Sequence, residues 1–222
     1  MKTLKLFLTL LISISLSSCL EILEDVKINN DNSGTYKLIV NLSQSKGQID
    51  KLMDQDSIQG KPVPSKDKIN ASINSLITDL DKQEGISNVI KTVDLDNFIF
   101  NISFDFRNIE NLNLAVNNII KSRNGKSDVN PVTYSFKSRQ FSRILNSEIL
   151  NQANKDKEKV SVFLTNFDLA KITSITRFES EIDKTDHSTA KISSNGKNCF
   201  EQLKINQILL NNNLHKHNIT LK

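Results

Sequence analysis

The stretch Phe98-Ile99-Phe100-Asn101-Ile102-Ser103-Phe104-Asp105-Phe106 decides the fold. Phe98, Phe100, Ile102, Phe104 and Phe106 alternate with Ile99, Asn101, Ser103 and Asp105, the period-two pattern of a strand with one buried face. Each buried Phe contributes up to about 3 kcal/mol, so this face belongs at the centre of a core. Upstream, Val89, Val93 and Leu95 lead into a turn at Asp96-Asn97, which makes the stretch the second strand of a hairpin. Asp94 and Asp96 point to one side of that turn, as metal ligands would, but solvation of the turn is the expected role.

An earlier hairpin stands beside it. Leu20 to Ile28 reads as a strand with Ile22, Val26 and Ile28 on one face, and Tyr36, Leu38, Val40 and Leu42 form the next. Asn29-Asn30-Asp31-Asn32-Ser33-Gly34 between them is a turn, built from residues that tolerate positive φ. It lacks the alternating carboxylates and closing Glu of an EF-hand loop. Each hairpin is followed by a helical pattern. The first runs from Ser65 to Lys82, with Ile69, Ile73, Leu76, Ile77 and Leu80 in one stripe. The second runs from an Asn108 cap to Lys121, with Ile109, Leu112, Val116, Ile119 and Ile120 inward. Gly85 and Gly125 end them.

Ser43 to Gln59 is a weak helix or connection, broken by Pro62 and Pro64. Downstream, Val132, Tyr134 and Phe136 form a strand, Ser138 to Asn151 reads as helical around Ile144 to Leu150, and residues 154–159 form a mixed-charge loop. Val160 to Leu164 and Ile172 to Phe178 are strands, and Asp183 to Ser188 is polar loop. Ser193 to Lys197 is a turn, Leu203 to Leu210 a short strand or helix, and Ile219 and Leu221 a closing strand. The fold class is α+β: an antiparallel sheet built from hairpins, with two or three helices packed on one face. Residues 19–222 are expected to form one domain. Six Gly, three Pro and no Trp argue against a β-sandwich or an extracellular rod. The Asn runs, Asn117-Asn118 and Asn211-Asn212-Asn213, read as compositional.

The N-terminus has its own logic. Lys2 and Lys5 precede an apolar run, Leu6 to Leu16, of signal-peptide length and too short to span a bilayer. Leu16-Ser17-Ser18-Cys19 then resembles the lipobox of bacterial lipoproteins. The resemblance implies that Cys19 receives a diacylglyceryl thioether, becomes the new N-terminus and is acylated. The alternative is an ordinary secretory signal cut after Ser17. Acyl chains of this kind anchor a protein without a transmembrane helix, and no later stretch is apolar enough to span. Leu20, where an Asp would mark inner-membrane retention, points to the outer membrane. The formal charge of +4 falls to +2 once Lys2 and Lys5 leave with the leader, so no nucleic-acid partner is indicated.

Taken with the lipobox, the turns Asp31-Asn32-Ser33-Gly34 and Ser194-Asn195-Gly196-Lys197, and Leu214 with Ile219 and Leu221, resemble a family of uncharacterised Bacteroidota-type envelope lipoproteins. More distantly they are similar to the LppM-like envelope lipoprotein domain. Asn32 and Asn195 stand where that pattern has Gly and Asp, and both fit turn geometry. The resemblance implies an envelope-anchored α+β domain and carries over no catalytic residue.

Enzyme signatures are absent: no G-x-S-x-G, P-loop, H-E-x-x-H or paired-Cys motif occurs. No catalytic residue, metal or cofactor is therefore assigned. His215-Lys216-His217 would place two imidazoles on one strand face, with His187 or Cys199 as a third ligand by default, but the expected reading is exposed polar residues near a C-terminus. Cys199 has no intrachain partner if Cys19 is lipidated; otherwise a Cys19–Cys199 disulfide is open. Asp56-Ser57-Ile58 resembles the D-(S/T)-aliphatic glycan-acceptor pattern of Bacteroidota envelope proteins, making Ser57 a candidate. The expected role is non-enzymatic binding or assembly at the membrane, with a protein partner in the envelope. One alternative is a carrier holding an apolar ligand between the Phe-rich sheet and helix 65–82. The other is a metal-dependent hydrolase.

Overall fold

The computed structural model describes residues 20–58, 60–124, 130–146 and 170–222. Along them run strands β1 (Glu21–Ile28), β2 (Gly34–Asn41), β3 (Ser57–Ile58), β4 (Lys61–Pro62), β5 (Ile86–Asp94), β6 (Ile99–Phe106), β7 (Val132–Lys137), β8 (Gln140–Leu145), β9 (Lys171–Phe178), β10 (Ile182–Thr185), β11 (Lys191–Ile192), β12 (Asn198–Lys204) and β13 (Lys216–Leu221). The helices are α1 (Lys46–Met53), α2 (Lys66–Asp81), α3 (Ile109–Asn124) and α4 (Ile205–Leu210). The class is α+β, as the hairpin and helix patterns predict.

A seven-stranded sheet has the order β11-β12-β9-β1-β2-β6-β5, and a four-stranded sheet the order β10-β13-β8-β7. Among the described residues all pairings are antiparallel except β1 with β9, which runs parallel from Glu21↔Lys171 to Ile28↔Phe178. One face of the large sheet carries Val26, Ile28, Tyr36, Ile102, Phe104 and Phe106, all buried. Tyr36 stacks on Phe104 with ring centroids 5.1 Å apart. Against this face pack α2, through Leu80, and α3, through Ile109, Leu112, Ala115 and Val116. The four-stranded sheet covers the rest of it with Tyr134, Phe141 and Ile219.

Local chemistry explains the elements. Ser65 caps α2 by accepting from the Lys68 amide, and Asn108 caps α3 by accepting from the Asn111 amide at 2.9 Å. In the first turn Asn32 takes φ 70°, and Asp31 accepts from the Ser33 amide and hydroxyl. Gly34 is required by proximity: a Cβ there would lie 1.9 Å from the Lys27 carbonyl oxygen.

Several readings are corrected. Phe98 is buried but belongs to the turn, at φ 54°, with the Lys46 and Lys66 ammonium groups each 5.8 Å from its ring centre. The described part of the segment expected to be helical, up to residue 146, holds β8 instead: Phe141, Arg143 and Leu145 alternate inward behind a two-residue turn, with Ser138 at φ 51° and Arg139 at φ 62°, and 147–151 lie outside the described residues. Neither residue advertises that geometry as Asn-Gly would. Asp183 to Thr185 of the expected polar loop belong to strand β10, and the 203–210 segment divides into the end of β12 and α4. The expectations for the leader and Cys19, Gly125, 154–159 and 160–164 lie outside the described residues.

Candidate functional site

The large sheet places one acid where its pattern calls for a hydrophobe. Glu24 sits between Ile22 and Val26 on the inward face of β1 and is 5 % exposed. Both Tyr36 and Tyr134 donate their phenol hydrogens to Glu24 Oε1, the first at 3.1 Å. Arg143, on β8 of the other sheet, donates Nε to Glu24 Oε2 at 2.6 Å. Burial first, and the Glu24 charge second, hold both phenols well above their ordinary range. Burial works against the Arg143 charge, but the adjacent Glu24 more than offsets it and raises that group. The ion pair joins the two sheets.

A second cluster adjoins it. His187 follows β10, Glu201 lies on the inward face of β12, and His217 lies on β13; all three are buried. His187 Nδ1 is 2.9 Å from Glu201 Oε1, and His217 Nδ1 is 3.4 Å from Oε2. Thr189 donates its hydroxyl to Glu201 Oε1 at 2.6 Å. His187 Nε2 lies 2.7 Å from the Lys216 carbonyl, and His217 Nε2 lies 2.6 Å from the Thr185 hydroxyl. The rings stack at 4.4 Å with 5° between planes. Because both nitrogens of His187 face acceptors, both carry protons; its hydrogen bond to Glu201 raises it above the ordinary imidazole range. Burial pushes His217 down to about 4. Glu201 is lowered: burial opposes this, and the bonds from His187 and Thr189 prevail.

The pairing of imidazoles across His215-Lys216-His217 does not form, and the expectation that these residues are exposed is corrected, since His187, His215 and His217 are all buried. His215 ends a 3-10 turn before β13 and bonds the Ile208 carbonyl through Nε2 at 2.9 Å. The third group beside His187 and His217 is Glu201, two residues beyond Cys199 on β12. The period-two pattern of β12, with Cys199, Glu201 and Leu203 on one face, is the signal that would have found it. Burial raises the Cys199 thiol to about 11, so it stays protonated and unreactive at neutral pH. Asp94 closes its turn by accepting from the Asp96 and Asn97 amides, and Asp96 pairs with Lys66 at 2.8 Å. Ser57 is exposed in the short β3–β4 hairpin.

At the end of the sheet where β1 finishes, an open cleft of about 630 Å³ is lined by Asn30, Asn32, Lys137, Ser138, Arg139 and Ser180. No helix among the described residues is long and apolar enough to cross a membrane.

Fold and clusters together define an α+β protein with two sheets joined by a buried ionic core. No family model matches the chain, and no curated protein matches it. Among solved structures, the folded domain of LppM from Mycobacterium tuberculosis, determined by NMR, is similar. That match has a TM-score of 0.48 at 9% identity and covers 93% of this chain and 91% of that one. It is a distant likeness of backbone path. The resemblance to a Bacteroidota-type family has no counterpart among these matches.

Proposed function

We propose that the chain is a membrane-anchored envelope lipoprotein with a binding or assembly role and no catalytic activity. Its domain hangs from a lipidated Cys19 at the outer membrane, and it engages a protein partner there. The supporting observation is the position of β1. Cys19 is two residues before Glu21, the first residue of this strand, which sits inside the large sheet. Eight residues carry the chain about 26 Å to Ile28. A lipid at Cys19 would therefore seat one end of the sheet on the membrane and turn the cleft around Asn30, Lys137 and Arg139 away from it. Neither cation forms an ion pair among the described residues, which leaves both free to meet a partner's acidic groups.

The carrier alternative has less support, because α3 and Tyr36 occupy the Phe-rich face that would have to open. The exposure of Ser57 is consistent with a glycan acceptor.

Intact mass of the protein extracted from its native membrane tests the anchor. The expected mass is that of residues 19–222 plus acyl chains, with Cys19→Ala giving an unacylated chain that leaves the membrane fraction. An unmodified chain beginning at Ser18 overturns the proposal and makes the protein a secreted one.

A further inference from the structure

We propose that His187, Glu201 and His217 form a binding site for a divalent transition-metal ion of the zinc class, which fastens the loop after β10 to both sheets. The three donor atoms lie within 4.8 Å of one another. They combine two imidazole nitrogens and one carboxylate, a set that suits zinc and its first-row neighbours and not magnesium or calcium. Their side chains are 6 %, 6 % and 8 % exposed, so an ion here is sheltered from water.

The surroundings are those of ligands already aimed. Each histidine turns Nδ1 toward the carboxylate and has Nε2 held by an oxygen, the Lys216 carbonyl for His187 and the Thr185 hydroxyl for His217. Such outer hydrogen bonds orient metal-binding imidazoles. On the Glu201 and His217 side lies a cavity of about 10 Å³, close to the space one water needs, where a fourth donor fits. The nearby Arg143 charge is committed to Glu24.

Binding requires one adjustment. The rings are parallel, so one must turn before both lone pairs meet at a single ion. His217 is the one with the longer contact, 3.4 Å, to Glu201. The ion takes the place of one proton: His187 releases its Nδ1 proton to solvent, and neutral His217 offers the bare Nδ1 while its single proton stays on Nε2, toward the Thr185 hydroxyl.

The test uses the full-length protein in detergent, freed of metal by chelation. Cobalt(II) is added as a spectroscopic probe and zinc is added in parallel thermal melts. Site occupancy gives visible cobalt absorption at one ion per chain. Zinc at a hundredfold excess over its dissociation constant raises the unfolding midpoint by about 5–10 °C. Glu201→Gln and His217→Gln each abolish both signals, whereas Cys199→Ala and His215→Gln preserve the cobalt spectrum. Folded wild-type protein that shows neither signal overturns the proposal. So does binding that survives both Glu201→Gln and His217→Gln, because the ion then sits elsewhere. If one of those two variants fails to fold, the other decides.

Discussion

Glu24 is the residue on which the two sheets depend. Its carboxylate answers three donors, and Arg143 has its charge balanced only there among the described residues. Removing one partner from a buried pair leaves the other charge stranded, at a cost of about 3–5 kcal/mol. Glu24→Gln is expected to lower stability by that amount in urea unfolding followed by circular dichroism. Glu24→Leu combined with Arg143→Met, which removes both charges, recovers most of it; a double variant as weak as the single one refutes the assignment.

The same cluster predicts alkaline behaviour. Tyr36 and Tyr134 are raised in the folded chain, while an unfolded tyrosine loses its proton near pH 10. Above that pH the unfolded state binds fewer protons than the folded one, so stability falls as pH rises and is unaffected below it. These are the only tyrosines, and there is no Trp, so absorbance at 295 nm reports this cluster alone. Tyrosinate absorbance should rise together with the loss of ellipticity. A complete tyrosine titration in still-folded protein contradicts this.

At the scale of elements, α3 treats strand β7 as a strand would. Asn113 donates to the Tyr134 carbonyl at 2.8 Å and accepts from its amide at 2.7 Å. One turn on, Asn117 does the same for Val132, at 2.8 and 3.2 Å. The four-residue helical spacing thereby matches the two-residue strand spacing, and the outer edge of β7 is covered. Asn117→Ala leaves a buried amide and carbonyl unpaired, so a loss of about 2–4 kcal/mol is expected in the same urea assay. Asn118→Ala, on the exposed side, should cost under about 0.5 kcal/mol. Equal costs for the two would show that Asn117 contributes no more than its helix position.

This contact also marks where the sequence stops being legible. Hairpins and amphipathic helices declare themselves through local periodicity, which is why β1, β2, β6, α2 and α3 are readable. Asn117 looks compositional because its partner is 15 residues away and is chosen by packing. Glu24 and Glu201 are similar: each interrupts an apolar face, and only the opposing sheet supplies the charge that makes the burial affordable. The parallel pairing of β1 with β9 has no local signature, since it joins segments about 150 residues apart. Of the candidate histidines, His187 and His217 do converge, but the acid between them is visible only once β12 is known to face inward.

At the scale of the molecule, the large sheet is arranged around its first strand. β1 is bonded along its full length on both sides, antiparallel to β2 and parallel to β9. A pull applied at residue 19 therefore runs along the strand and loads both ladders in shear. The hydrogen bonds must slide together, whereas at a free edge they would peel one after another. The strand nearest the proposed membrane attachment is thus an interior one that tension extracts with difficulty, so a tether at Cys19 meets the domain where mechanical force is shared by two ladders.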